Sequence, residues 1–266
     1  MASATSLITL LTDFGHRDYF VPSMKGVMYG INSQVRMVDL SHDITPHGVE
    51  EAAFHLKSCY HYFPDGTIHV VVVDPGVGSA RRAILVSTSR YFFLAPDNGV
   101  LSYIFEEERS VEVRAIENKQ YRLDSEGATF DGRDLFSPAA AWLTKGQMPG
   151  SYGPLIHDYV TLPNSEPKME NGKLVGKVVY IDHFGNLISN ITPTDLETFR
   201  SVTKQEIQGI QLGDVTIKGM KTHYAEGALG MPEALINSNA QLEVFIKQGH
   251  AANSCHGTVG QRIEVR

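Results

Sequence analysis

Two aspartates in this 266-residue chain stand where apolar runs break off, and each is followed by a glycine within two residues. Asp13 closes Ser6-Leu-Ile-Thr-Leu-Leu-Thr12 and leads into Phe14-Gly15, and Asp74 closes the Val-rich run from Ile68 and leads into Pro75-Gly76-Val77-Gly78. Seven residues after Asp74 comes Arg81, with Arg82 beside it. A carboxylate at the carboxyl end of a buried strand accepts hydrogen bonds from a ribose diol or serves as a base. A guanidinium near it can stabilise developing negative charge. Either aspartate alone reads equally well as the cap of a turn or of a helix. Both together, with Arg81 downstream, favour a site.

Two further clusters hold polar groups at breaks in apolar sequence. Thr129–Pro138 places Asp131, Arg133 and Asp134 around Gly132 just before a helix-forming stretch. Arg133 and Asp134 are expected to pair with each other and pin the turn, which leaves Asp131 as the more exposed candidate. Asp182-His-Phe-Gly-Asn186 interrupts two strand-like runs. A hairpin there explains Gly185 and half explains Asn186; Asp182, at a strand end, could meet a substrate ammonium. Other chemistries lack their signatures. Gly76 and Gly78 belong to neither GxxxxGK[ST] nor a GxGxxG that opens a helix, so a phosphate loop is disfavoured. The eleven histidines form no HxH, HExxH or Cys/His pattern, so no metal is expected. No GxSxG is present.

The elements that would carry these residues alternate in the first half. Strands are expected at Ser6–Leu11, Val35–Leu40, Ile68–Val73, Ala83–Thr88 and Tyr91–Ala95, with helices at Val21–Tyr29, Val49–Tyr62, Val100–Phe105 and Phe136–Thr144. That alternation predicts an α/β fold with a mostly parallel sheet flanked by helices. Residues 163–173 hold Pro163, Pro167, Gly172 and mixed charge, the composition of a linker between a first domain at 1–162 and a second at 174–266. Beyond it, Leu174–Ile181, Asn186–Ile191, Ile207–Leu212, Gln241–Ile246 and Arg262–Val265 read as strands with few helices, which predicts an antiparallel β-barrel domain.

Composition removes several function classes. The net charge is −7 and no Lys/Arg cluster stands out, which argues against a nucleic-acid partner. No apolar run approaches a membrane span, and residues 1–6 carry no basic segment leading into an apolar core, so neither membrane nor signal peptide is expected. Cys59 and Cys255 are too few for a disulfide framework, and a cytoplasmic protein is expected.

Read in order, TDFG (Thr12–Gly15), KGVMYGIN (Lys25–Asn32), VDLSHDITPH (Val38–His47), VVDPGVGSARR (Val72–Arg82), APDNGVLS (Ala95–Ser102), FDGRDLFSPAAA (Phe130–Ala141) and YIDHFGNLISNI (Tyr180–Ile191) resemble the S-adenosylmethionine hydroxide adenosyltransferases, relatives of the fluorinating and chlorinating adenosyltransferases. The resemblance spans nearly the whole chain. It implies that S-adenosylmethionine is the substrate, with no cofactor, and that water replaces methionine at C5′ of the ribose to give adenosine and L-methionine. It also implies a homotrimer with active sites at subunit interfaces. Asp74 and Arg81 match the residues that act on the water, and Asp13 the carboxylate that holds the ribose hydroxyls. Asp182, Asn186 and Ser238 match contacts to the methionine and adenine ends. His47 falls where halogenating relatives place an aromatic wall, and Val77, Phe130 and Gly132 are implied as further substrate contacts. Two positions depart from the pattern. Hydroxide-using members carry a histidine after the phenylalanine, as in FHGRD, where this chain has Asp131, and Lys247 stands in place of an expected asparagine. Halogenating members replace the strand-end aspartate by tyrosine and lose the arginine, so Asp74 and Arg81 point to hydroxide rather than halide. A non-catalytic adenosyl-ligand binding module is the reading from another class.

Overall fold

Strand β1 (Leu7–Thr12) is buried along its whole length and β3 (Ile68–Val72) likewise, as their largely apolar sequences lead one to expect of central strands covered on both faces. The computed structural model describes residues 7–127, 129–163 and 166–266. It divides into two compact units, Met1–Leu162 and Pro163–Arg266.

In the first unit the chain runs β1, α1 (Phe20–Ile31), β2 (Arg36–Ser41), α2 (Val49–Cys59), β3, β4 (Ala83–Ser87), β5 (Phe92–Pro96), α3 (Ser102–Glu107), β6 (Glu112–Ala115) and α4 (Ser137–Thr144). The sheet order is β2-β1-β3-β5-β4-β6. The β1–β2, β1–β3 and β3–β5 pairs are parallel, while β4 runs antiparallel to β5 and β6. Side chains alternate across the sheet as the strand pleat requires. Ile8, Leu10, Val70 and Val72 pack with Met24 and Met28 of α1 and the alanines 139–141 of α4. Leu11, Val71 and Val73 pack with Ala52, Ala53 and Leu56 of α2 on the other face. The alanine run of α4 lets α1 approach closely, and Asn32 at the end of α1 donates to Thr144 Oγ1 at 2.8 Å. The expected mostly parallel α/β sheet with helices on both faces is therefore what forms.

The second unit contains β7 (Lys168–Glu170), β8 (Lys173–Ile181), β9 (Leu187–Ser189), α5 (Pro193–Thr203), β10 (Ile210–Leu212), β11 (Val215–Ile217), β12 (Pro232–Ile236), β13 (Leu242–Ile246), α6 (Ala251–Ser254) and β14 (Arg262–Val265). Its strands follow one another as β11-β10-β14-β8-β9-β13-β12 in antiparallel pairs, curling into a nearly closed barrel. Leu174, Val178, Leu242, Val244, Ile263 and Val265 fill its interior.

One expectation is corrected here. Residues 163–173, read as linker, contain β7, which pairs with β8 through the two-residue turn Asn171-Gly172, both at positive φ. Asn-Gly is the pair such a hairpin favours, and its signal outweighs the proline and charge content. The helix α5 falls within the expectation of few helices, although its position was not anticipated. Thr192 and Asp195 close its start reciprocally, with Thr192 N donating to Asp195 Oδ2 at 2.8 Å and Pro193 at the first helical position.

His69 lies in the middle of β3, fully buried, with Nδ1 2.7 Å from Thr9 Oγ1 of β1. Burial lowers its pKa to about 3, so the folded state holds the ring neutral. An unfolded chain protonates it at the ordinary value of roughly 6.5. The stability that the neutral ring contributes is thus whole above pH 6.5 and is lost progressively as pH falls from there toward 3. Urea unfolding of the wild type should show a loss of about 1.4 kcal/mol per pH unit from this group in that window, and His69→Gln should flatten the slope. Equal slopes for the two proteins would refute the assignment.

Candidate active site

The strand order places β1 between β2 and β3. The connection from β1 through α1 to β2 covers one face, and that from β2 through α2 to β3 covers the other. The sheet is therefore built outward in opposite directions from β1 and from β3, which are parallel neighbours, and the crevice beyond their carboxyl ends is where open α/β sheets bind ligands. Thr12 is the register partner of Val72, so Asp13 and Asp74 emerge from adjacent strands at that edge.

The Asp74 side chain is only 5 % exposed. Its Oδ1 accepts from Gly76 N at 3.2 Å and from Arg81 Nε at 3.0 Å, and its Oδ2 accepts from Arg81 Nη2. The intervening turn is closed by Ser79 N donating to Gly76 O at 3.0 Å, with Gly78 at φ +78°. Gly76 lies against the Arg81 stem, where a Cβ would come within 3.2 Å of Cγ and press on the pair. Asn98, in the Pro-Asp-Asn-Gly turn after β5, donates to Val73 O at 2.9 Å and fixes the backbone just before Asp74.

Asp131 joins this pair. Arg81 Nη2 donates to Asp131 Oδ2 at 2.5 Å as well as to Asp74, so one guanidinium bridges two carboxylates. Burial works against the Arg81 charge, but hydrogen bonds and charge from Asp74, then from Asp131, outweigh it and raise its pKa. Asp131 begins a π-helical turn, Gly132–Phe136, in which Ser137 N donates to Gly132 O. Gly132 packs where a Cβ would crowd Phe130, Met24 and Phe14 at 3.1 to 3.3 Å. Phe130, Phe14 and Phe20 form an edge-on aromatic cluster with centroids 5.2 to 5.9 Å apart. Arg133 and Asp134 pair as expected, Nε to Oδ1 at 2.6 Å and Nη2 to Oδ2 at 2.9 Å.

Asp13 Oδ2 accepts from the backbone N–H of His47 at 2.8 Å. His47 is exposed, holds φ +68° and approaches Asp13 through its backbone rather than its ring. Beneath them, buried His42 sets Nδ1 2.8 Å from Thr12 Oγ1, and its carbonyl accepts from Gly15 N at 2.7 Å. Val77 is exposed on the Asp74 turn. Arg82 points elsewhere, to Asp97 and Asp158, and holds the segment before Leu162.

The remaining sequence candidates lie in the second unit. Asp182 is not a free carboxylate. Oδ1 accepts from Phe184 N at 2.9 Å and Asn186 N at 2.8 Å, and Oδ2 accepts from Asn186 Nδ2 at 2.9 Å. Asn186 is buried and Ser238 is exposed on the turn between β12 and β13. Lys247 donates to Ala225 O at 2.7 Å. Among the described residues no group of three His, Cys, Asp or Glu is arranged to hold a metal ion.

Sequence reasoning missed Asn98, Arg122 and Glu243. Asn98 sat in a turn motif that explained it already. Arg122, whose Nη2 lies 3.6 Å from Asp131 Oδ1, has no local signal at all. Glu243 interrupts an apolar strand, which could have marked it: it is 2 % exposed and accepts from Tyr224 Oη at 2.7 Å and Asn237 Nδ2 at 3.1 Å.

An α/β unit with an aspartate–arginine site at its strand ends, and a β-barrel unit after it, define an architecture that comparison with known proteins resolves further. Residues 8–153 match the N-terminal domain model of the SAM hydroxide adenosyltransferases and residues 176–264 match the C-terminal one. The chain belongs to the SAM hydroxide adenosyltransferase family. It is 30% identical over 268 residues to the (R)-S-adenosyl-L-methionine hydrolase of Salinispora tropica, covering 98% of each chain. It is 27% identical over 272 residues to a fluorinase of Actinoplanes sp., covering 91% of each. A crystal structure of an uncharacterized conserved protein from Thermotoga maritima superposes with a TM-score of 0.88 at 31% identity, over 97% of this chain and 99% of that one.

Burial raises the pKa of Glu243, so the fold favours its protonated form. A raised carboxyl contributes stability that is present below the ordinary Glu value and is lost as pH rises through the folded one. Glu243→Gln should therefore gain stability relative to the wild type as pH is taken from 4 to 8. Thermal unfolding across that range checks it, and a difference that stays constant with pH would refute it.

Proposed function

We propose that this chain hydrolyses S-adenosyl-L-methionine to adenosine and L-methionine, by attack of water on C5′ of the ribose. The observation that carries the reading is the pair of carboxylates bridged by Arg81 at the strand-end crevice. The name of the Salinispora relative supports it.

The chemistry asks little of the protein beyond position and polarity. A sulfonium leaves as a neutral thioether, so no general acid is required; the C5′–S bond breaks with its electron pair on sulfur as the water oxygen bonds to C5′. The water must lie in line with that bond and lose a proton. Each carboxylate oxygen accepts two hydrogen bonds. Asp74 Oδ1 already accepts two, whereas Oδ2 accepts one and has room for the water. Asp74 then takes the proton as base and passes it to solvent. The Nη1 group of Arg81, which takes no part in these bonds, is the donor that steadies the oxygen as it acquires hydroxide character. Asp13 holds the ribose hydroxyls through Oδ1, its other oxygen being tied to His47. Phe130, Gly132, Val77 and His47 border the adenosyl group in this reading. Asp182, Asn186 and Ser238 serve its methionine and adenine ends. No cofactor is needed. We also infer a homotrimer whose active sites lie at subunit interfaces, to be checked by light scattering after gel filtration.

The two carboxylates also bear on the halide alternative suggested by the fluorinase relative. A bare halide beside Asp74 and Asp131 would be repelled, whereas water is not.

Incubation with S-adenosylmethionine, in the presence and absence of chloride or fluoride, should release adenosine and methionine in equal amounts and no 5′-halo-adenosine. Binding without turnover would sink the hydrolytic reading. Asp74→Asn should lower kcat by about 10²- to 10⁴-fold, the range of a lost general base, with KM changed by no more than about threefold. Equal losses in kcat and in affinity would remove Asp74 from the role of base.

A further inference from the structure

Asp74, Arg81 and Asp131 sum formally to −1 in a setting where all three side chains are less than 15 % exposed. Two carboxylates this close repel each other, and the second would swing away from Arg81 toward water unless something else holds it. The structure supplies a second cation. Arg122 Nη2 lies 3.6 Å from Asp131 Oδ1, the oxygen that Arg81 does not use. Asp131 thus sits between two guanidiniums, one facing each oxygen.

Arg122 is held in place by its backbone. Its N–H donates to Lys119 O at 3.1 Å, and that of Leu123 donates to Asp134 O at 2.8 Å, inside the π-helical turn that Asp131 begins. Loop and turn are therefore one hydrogen-bonded piece, with the two side chains on it facing. Arg122, Asp131, Arg81 and Glu117 line a cavity of about 260 Å³ within the first unit, so Asp131 has open space into which it could turn. The other nearby cation, Arg82, is engaged by Asp97 and Asp158 and cannot take this place.

We propose that Arg122 is a positioning residue that balances the charge of Asp131 and keeps its carboxylate on Arg81, making an Asp74–Arg81–Asp131–Arg122 chain whose formal charges cancel. The proposal rests on the hydrolytic reading above for its catalytic consequence and on the ion pair alone for its structural one.

Two measurements test these separately. In turnover of S-adenosylmethionine, Arg122→Gln should lower kcat about tenfold with KM within about twofold, because a misplaced group near the reacting atoms affects the transition state more than binding. Arg122→Lys should recover most of the loss, since a charge at this distance, not a fork, is what Asp131 requires. In thermal unfolding, Arg122→Gln should lower Tm by about 1–2 °C when Asp131 is present and leave it unchanged in an Asp131→Asn background, the coupling expected of a pair whose cation is exposed. An unchanged kcat, failure of lysine to rescue, or equal Tm shifts in both backgrounds would each overturn the proposal. If the wild type does not turn over at all, the hydrolytic reading falls, and the unfolding cycle still decides whether Arg122 holds Asp131.

Discussion

The bridge from Arg81 to Asp74 and Asp131 is the interaction around which the first unit is organised. A guanidinium and two carboxylates withdrawn from water depend most on the guanidinium, because removing it leaves two like charges facing each other in a poorly hydrated place. Each partner is delivered by a different device. Asp74 comes from the end of a buried strand, Arg81 from a glycine-dependent turn, and Asp131 from an irregular helical turn far along the chain. The geometry of the site is thus the point where three local structures must agree. Asn98, holding the carbonyl of Val73, shows how tightly the strand end is fixed.

The second unit handles its polar groups differently. Asp182 spends both oxygens on the turn that contains it, and Glu243 is enclosed by Tyr224 and Asn237. These carboxylates shape loops at the barrel's surface, and whatever ligand contacts the unit makes are made by loops already fixed from within. A carboxylate tied to two backbone N–H groups and one side-chain amide orients its neighbours as much as it recognises anything itself. Burial of Glu243 makes the fold resist its ionisation.

Much of this was legible from sequence because it depends on short-range rules. Runs of Val, Ile and Leu that stop at Asp13 and Asp74 can hardly be anything but central strands, and a carboxylate after such a strand has few places to go. Asp131 was legible as a candidate through its glycine and aromatic neighbours. What escaped depends on pairing across distance or on one signal hidden by another. Arg122 is an ordinary loop residue until the backbone of Leu123 meets Asp134. Strand β7 was masked by the prolines and charges around its Asn-Gly turn, and α5 was not singled out among the strands around it, although Thr192-Pro193-Thr194-Asp195 spells a helix start. Asp182 was placed correctly at a strand end, but nothing in its sequence tells that the turn would absorb both its oxygens.

The π-helical turn at Gly132–Phe136 carries a consequence of its own. Such a turn holds one residue more than an α-helix of the same height, so the register before it is offset by about 100° from that of α4 behind it. The offset is what aims Asp131 at Arg81 while Ala139–Ala141 stay against the sheet. Counted along the gene, the site therefore hangs on a single codon's worth of length. A lost residue anywhere between Gly132 and Phe136 would leave every side chain of the cluster present and turn one of them away from the rest.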